Sequence, residues 1–327
     1  MRSKIIVASM SLFLCVAVLF ALSCSSLITK PRETTPAVTW HIDFDRPLTD
    51  SNQKSLDTPE ALSISELQRI LSAVEQTTAP ASFGGYQLSG ADEGLLNAAT
   101  SYLTQQEYGF GYVMMDLSSG YGVASNINTE FYSASSIKAP YVVSLLASSP
   151  ETIDYWAWSM DAIIEYSDND EYFTLRSLYD SAPLVKWCEK AGVDTSFCPE
   201  WFPWYSTKTL AKLWLNNYEY FESDVVGSSE VFSWFGATNN SVISANLGGY
   251  YPVCTKAGWI ADEEFSATID AGIVYAGKSP YLIIIMTDAP DDMESLDSLV
   301  LALNEIHDRM ILARANQARL ADSQGTT

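Results

Sequence analysis

Histidine is nearly absent from these 327 residues: there are two, His41 and His307, far apart and in unrelated contexts. No Cys/His cluster with metal-ligand spacing follows from them, and neither a metal nor another cofactor is expected. The same scarcity removes the commonest base for a nucleophilic serine, and no Gly-x-Ser-x-Gly elbow is present. Basic residues are also few, 18 Lys and Arg against 40 Asp and Glu, which leaves a formal charge of -22. That charge disfavours nucleic acid and anionic bilayers as partners and mainly confers solubility. What the chain has in quantity is apolar surface, 47% hydrophobic residues and 12% aromatic ones, enough for one large core or two fused lobes.

Long hydrophobic runs are confined to the start. Arg2 and Lys4 precede an apolar stretch from Ile5 to Leu22, followed by Ser23-Cys24-Ser25-Ser26, the pattern of an export signal over residues 1–24. The mature protein is therefore expected outside the cytoplasm, in a bacterial cell envelope or beyond it. Ala21-Leu22-Ser23-Cys24 resembles a lipobox, with Ala21 where Leu is usual. Lipid attachment at Cys24, ordinary cleavage and an uncleaved anchor all stay open, since about 18 apolar residues just span a hydrocarbon core. Contact with a membrane is expected only through this segment or its lipid.

Residues 25–61, rich in Thr, Pro, Ser and Asp, show no sustained apolar period and read as a flexible tether. The folded domain is expected over residues 62–318, with a disordered tail at 319–327. Ser63 and Glu66 cap the first helical period, and a second helix runs near residues 93–106. Residues 110–124 read as two strands around Ser118-Ser119-Gly120. Helical patterns then hold from Ser135 to about Phe221, an all-helical lobe interrupted by an aromatic-rich loop at residues 192–206. Strand-like runs follow at residues 251–259, 265–275 and 281–286, and an amphipathic helix closes the chain over residues 293–315. Strands, helices, strands and a last helix make an α+β domain whose antiparallel sheet is completed late. Cys188 and Cys198, on either side of a Gly-containing loop, are a candidate disulfide, and Cys254 is left as a buried thiol.

A lysine remains as the base for a serine nucleophile. In Ser135-Ser136-Ile137-Lys138, opening an apolar helix, Ser135 and Lys138 stand one turn apart on one face. The helix start adds free N–H groups suited to an oxyanion, and apolar surroundings would lower the lysine pKa toward that of a working base. Ser51-Asn52-Gln53-Lys54 matches the same spacing by accident in the tether, so the motif needs company. Ser167-Asp168-Asn169 follows an amphipathic stretch, where Asp168 by itself is an ordinary helix cap, and Lys256-Ala257-Gly258-Trp259 lies on a late strand.

In this order, the three elements resemble the Ser-x-x-Lys, Ser-Asp-Asn and Lys-Thr-Gly set of the class A β-lactamases and penicillin-binding proteins. Residues 131–140, 164–169 and 270–274 are similar to that family beyond the short motifs. The resemblance implies a β-lactamase/transpeptidase-like fold, with helices flanking the sheet and a helical lobe. It also implies an acyl-enzyme chemistry on a β-lactam, a peptidoglycan stem peptide or a related amide or ester. By position, Ser135 would attack, Lys138 would take its proton, and Ser167 would relay a proton to the leaving nitrogen. Asn169 would hold the substrate amide, and Lys256 would tune Ser167 and face a substrate carboxylate. The N–H groups of Ser135 and Trp259 would form the oxyanion hole, with Gly258 permitting close approach. Two departures stand out. No Glu-x-x-Leu-Asn segment exists, only Asp194 and Glu200 in the shorter loop, and Ala257 replaces a hydroxyl residue. Trp201, Phe202, Trp204 and Tyr205 either line a pocket or pack the core. A non-catalytic envelope glycopeptide-binding protein on the same fold is the alternative, and a structural surface protein comes third. Oligomeric state is left open.

Overall fold

The computed structural model describes residues 62–324. The expected signal, tether and lipidation position Cys24 lie outside them. Helix α1 (Ile64–Ala73) opens on the expected cap, with Ser63 Oγ accepting the Glu66 N–H and Glu66 returning a bond to the Ser63 N–H. Strand β1 (Ala81–Phe83), helices α2 (Gly90–Ala99) and α3 (Ser101–Gln105), and the hairpin β2 (Phe110–Asp116) and β3 (Gly122–Ser125) follow. Gly120, in the β2–β3 turn, has φ +72°, a backbone conformation that costs other residues strain.

After the short strand β4 (Glu130–Tyr132) comes a 3-10 turn, Ala134–Ile137, that runs directly into α4 (Lys138–Ser148). The lobe continues with α5 (Ile153–Glu165), α6 (Asn169–Tyr179), α7 (Ala182–Ala191), β5 (Trp204–Ser206), α8 (Thr207–Phe221), α9 (Ser228–Gly236) and α10 (Val242–Leu247). Strands β6 (Val253–Ala261), β7 (Ser266–Val274) and β8 (Tyr281–Thr287) then complete the sheet before α11 (Asp297–Gln324). The closing helix passes the boundary expected at residue 318. No Gly or Pro interrupts the chain between Pro290 and Gly325, so nothing stops it earlier.

The six strands run antiparallel in the order β1-β3-β2-β8-β7-β6, so the hairpin read early in the chain pairs with the last strand, Met115 opposite Leu282. Every residue of β8 is buried, because both faces of the sheet are covered. One face meets the helical lobe; the other packs on α2 and α11 through Leu96, Leu299, Leu303 and Ile306. Strand β6 is the outer edge, and it lies against the 3-10 turn that carries Ser135. Helix α4 is apolar on all sides and is buried from Lys138 through Leu146, as a helix through the centre of a lobe must be.

A second, two-stranded sheet was not legible in the sequence. Strand β4 pairs with β5, setting Tyr132 opposite Trp204 and tying the loop after α7 to the segment before Ser135.

Candidate active site

Four segments of chain meet at the junction of sheet and helical lobe. The first is the 3-10 turn, where Ala134 takes φ +41°, a strained conformation for a residue with a Cβ, immediately before half-buried Ser135. The Ser135 N–H finds no backbone acceptor among the described residues, leaving a donor at the start of a helix. One turn on, the Lys138 side chain is drawn into the lobe with its helix.

The second segment is the link from α5 to α6. Ser167 has φ +59°, Asp168 caps α6 by accepting the Glu171 N–H at 2.9 Å, and Asn169 opens the helix. The capping role expected for Asp168 is what the carboxylate performs. Lys138 Nζ donates to Ser167 O and to Asn169 Oδ1, each at 2.6 Å. The direct Ser135–Lys138 hydrogen bond that the spacing allows is not formed; the amine is turned to the second motif instead.

Strand β6 is the third. Lys256 Nζ donates to Ser167 Oγ, and to its neighbour's carbonyl, Ala257 O, at 3.1 Å. Gly258 is required by contact: a Cβ there would lie 2.8 Å from Ser135 N and 2.6 Å from Ser136 N. Any side chain would push the strand off the turn. Trp259, half-buried, places its ring 6.0 Å from Lys256 Nζ. Ala257 is fully buried in this strand.

The fourth segment is the loop between α7 and β5. Its aromatics divide between the two roles weighed for them. Tyr205 is core, its hydroxyl hydrogen-bonded to Ser136 Oγ at 2.6 Å. Phe202 is half-buried and walls Lys138, its ring 5.8 Å from Nζ, opposite Tyr172 at 5.5 Å. Trp201 and Trp204 are 40% and 48% exposed, and Trp204 meets Tyr132 edge-on. Glu200 and Asp194 are exposed, Asp194 spending its carboxylate on Ser196. Neither carboxylate reaches the lysines.

Burial with no carboxylate in contact sets the electrostatics. Desolvation brings Lys138 down to about 7, only partly countered by the nearby Asp168 charge. Lys256 also falls to about 7, through burial first and then repulsion from Lys138, with Asp270 opposing. Near neutral pH each amine is thus a usable proton acceptor as well as a donor.

Three supporting groups were given no role in the sequence reading, although Asp270 lies in the family-like run 270–274. Arg176, buried on α6, donates from Nη2 to Cys198 O at 2.8 Å and Glu200 O at 3.1 Å, pinning the loop that carries Phe202. Tyr172 has no polar signature that marks it. Asp270, fully buried in β7, is pushed up to about 6 by desolvation, against hydrogen bonds from Ile243 N and Ser241. A lone carboxylate in an otherwise uncharged strand was the available signal. The candidate disulfide needs correction. Cys188 and Cys198 are neighbours, as expected, but are free thiols with sulfurs 3.5 Å apart, a non-bonded separation. Cys254 is a buried thiol as well.

A sequence profile of the Beta-lactamase enzyme family matches residues 160–310. Solved structures with the same fold include a β-lactamase from Chitinophaga pinensis DSM 2588, 14% identical, TM-score 0.55, covering 66% of this chain and 99% of that one. The TLA-3 extended-spectrum β-lactamase aligns at 13% identity and TM-score 0.55, over 67% of this chain and 99% of the other. A PBP-A variant, determined as its acyl-enzyme complex with penicillin G, aligns at 18% identity and TM-score 0.52, over 65% and 97%. No curated protein matches the chain. Residues 160–310 thus match the Beta-lactamase enzyme family, and the chain has the α+β fold of these structures, while identities this low speak for the fold and not for any one reaction.

Proposed function

We propose that the chain is an exported serine acyl hydrolase of the class A-like type, acting through an acyl-enzyme on a β-lactam, a cell-wall D-Ala peptide or a related amide or ester. The reading rests on one observation. Lys138 and Lys256 converge on Ser167, while Gly258 holds the same strand against the Ser135 backbone. Ser135 Oγ attacks the carbonyl carbon, and neutral Lys138 takes the hydroxyl proton once its side chain swings from Ser167 O. The unpaired Ser135 N–H, with that of Trp259, faces the developing oxyanion. On collapse, Ser167 gives its proton to the leaving nitrogen and recovers one from Lys256, so the expelled amine is neutral. Asn169 holds the substrate amide. Among the described residues the carboxylates of the loop before β5, Asp194 and Glu200, are exposed and away from the lysines, which favours a long-lived acyl-enzyme over rapid β-lactam turnover.

The bonding of Lys138 to Ser167 and Asn169, with none to Ser135, also suits a non-catalytic glycopeptide-binding relative. Incubation with a fluorescent penicillin and with a fluorophosphonate, read by intact mass, separates the two. Label on Ser135 supports the hydrolase, and a persistent penicillin adduct marks a penicillin-binding protein. If neither probe attaches, the binding protein is the better reading.

A further inference from the structure

Helix α5 leads into the site, ending at Glu165 with Tyr166 as its C-terminal cap, next to Ser167. Its inner face is fixed: Met160, Ile163 and Ile164 are buried, and Trp156 Nε1 donates to Tyr179 OH on α6 at 2.9 Å. Its outer face is unusual. Tyr155, Trp158 and Tyr166 are 79%, 71% and 63% exposed. At 100° per residue they fall within about 80° of one another around the axis. Water-exposed aromatics of this size on a rigid helix leave apolar faces unpaired, and grouped ones mark a binding surface.

We infer that this ridge, Tyr155-Trp158-Tyr166, is a docking strip for a glycan strand of the cell envelope, which carries the acyl or peptide group processed at Ser135. The inference rests on the hydrolase reading and adds the substrate's carrier. Three features select that occupant. The large exposed groups on α5 are all aromatic, offering flat faces to the C–H faces of sugar rings. Asp154, Asp161 and Glu165 lie beside them on the helix and accept hydroxyl hydrogen bonds. A chain of charge -22 repels anionic lipid and phosphate polymers, but not an uncharged polyhydroxy strand. The strip is also continuous with the cleft. At 1.5 Å per residue, Trp158 stands roughly 13 Å and Tyr155 roughly 18 Å from Ser167 along the axis, a reach of about three sugar rings.

The test titrates the full-length protein with the hexamer of N-acetylglucosamine by calorimetry, at low and high salt. Saturable, salt-insensitive binding is expected, weakened roughly tenfold or more in the double variant Tyr155→Ala/Trp158→Ala. Leu178→Ala, which removes an exposed apolar side chain from another helix, should bind as the parent does. Fluorophosphonate labelling of Ser135 should proceed at the parental rate in the double variant, showing that the fold is intact. Absence of saturable binding in the parent overturns the inference, as does equal binding by the double variant. Binding lost at high salt, or transferred to lipid vesicles or to a second copy of the chain, overturns it too. Ridge-dependent glycan binding without any label on Ser135 would end the hydrolase reading and leave the strip standing.

Discussion

Two buried clusters of ionisable groups stand at different places in this protein, and they handle charge in opposite ways. Around Asp116, at the end of β2, the carboxylate is satisfied: Oδ1 accepts the Ser119 N–H and hydroxyl, each at 2.7 Å, Oδ2 meets His307 Nε2 at 3.0 Å, and Arg314 approaches at 3.3 Å. Tyr281 stacks on the His307 ring. Burial tends to raise Asp116, but the hydrogen bonds from His307 and Ser119 outweigh it and hold the carboxyl below its ordinary value. This is where the core histidine among the described residues, His307, is used, far in role from a nucleophile's base. Around Ser167, two lysines are buried against neutral acceptors, the Ser167 carbonyl and hydroxyl and the Asn169 amide, and both amines are driven down to about 7. A buried charge with full partners holds a structure together. A buried charge without them gives up its proton, which is the property a general base needs.

The sharpest way to break that contrast is Lys138→Ala. Labelling of Ser135 should fall by about 10²–10⁴-fold, the range for losing a positioned base, while thermal stability holds or rises. Undiminished labelling would remove Lys138 from the chemistry. Asp116→Ala should do the reverse, costing about 3 kcal/mol or more in denaturant unfolding because the buried His307 ring and Arg314 lose the carboxylate they bond to, with the labelling rate of the folded protein unchanged. If that variant folds but fails to label, the two clusters are not separate in role.

The clusters should also part company in pH. The fluorophosphonate labelling rate should climb with pH until about 7 and level off, because protonated Lys138 cannot take the serine proton, whereas penicillin labelling, which also draws a proton from Lys256, should fall again above about 7. Asp116 has a depressed folded value, so its stability contribution is present above the unfolded carboxyl value of about 3.9 and is lost as pH falls below that. Acid melts of the parent and of Asp116→Ala should therefore converge. A smaller effect is expected from Phe202→Ala, which admits water beside Lys138 and should shift the labelling midpoint to higher pH, lowering the rate near neutrality a few-fold. Smallest of all, Glu200→Gln should leave the lifetime of the penicillin adduct within about twofold, since its exposed carboxylate activates no water in the site. A much longer lifetime would restore Glu200 as a deacylation base.

Much of this site could be read from spacing, because its parts lie on regular elements. Ser135 and Lys138 are one helical turn apart, and Lys256 and Gly258 are two apart on a strand, so each pair shares a face whatever the rest of the fold does. Ser167-Asp168-Asn169 was recognisable only in company, as the second of three elements that resemble the family's motifs in order, since a polar turn between two helices is ordinary by itself. Tyr172 and Arg176 were not legible, since each looks like an ordinary residue of its helix until a partner from far along the chain arrives, and Asp270 showed only as a carboxylate within the family-like run 270–274. Lys138 shows the limit within a motif that was legible: its position was read correctly, but its bonding to Ser167 and Asn169 was not, because a long flexible side chain goes to whichever acceptor the folded lobe presents.

By itself, then, the sequence determined the local periods, the order strands-helices-strands-helix, and which residue types stand one turn or one pleat apart, for these depend on neighbours within a few residues. The tertiary structure decided what is buried with what. Only the pairing of β2 with β8 and the packing of β6 on the Ser135 turn bring two amines together where neither bonds to a carboxylate. An amine's proton affinity follows the water and charge around it, and those surroundings are assembled from segments more than a hundred residues apart.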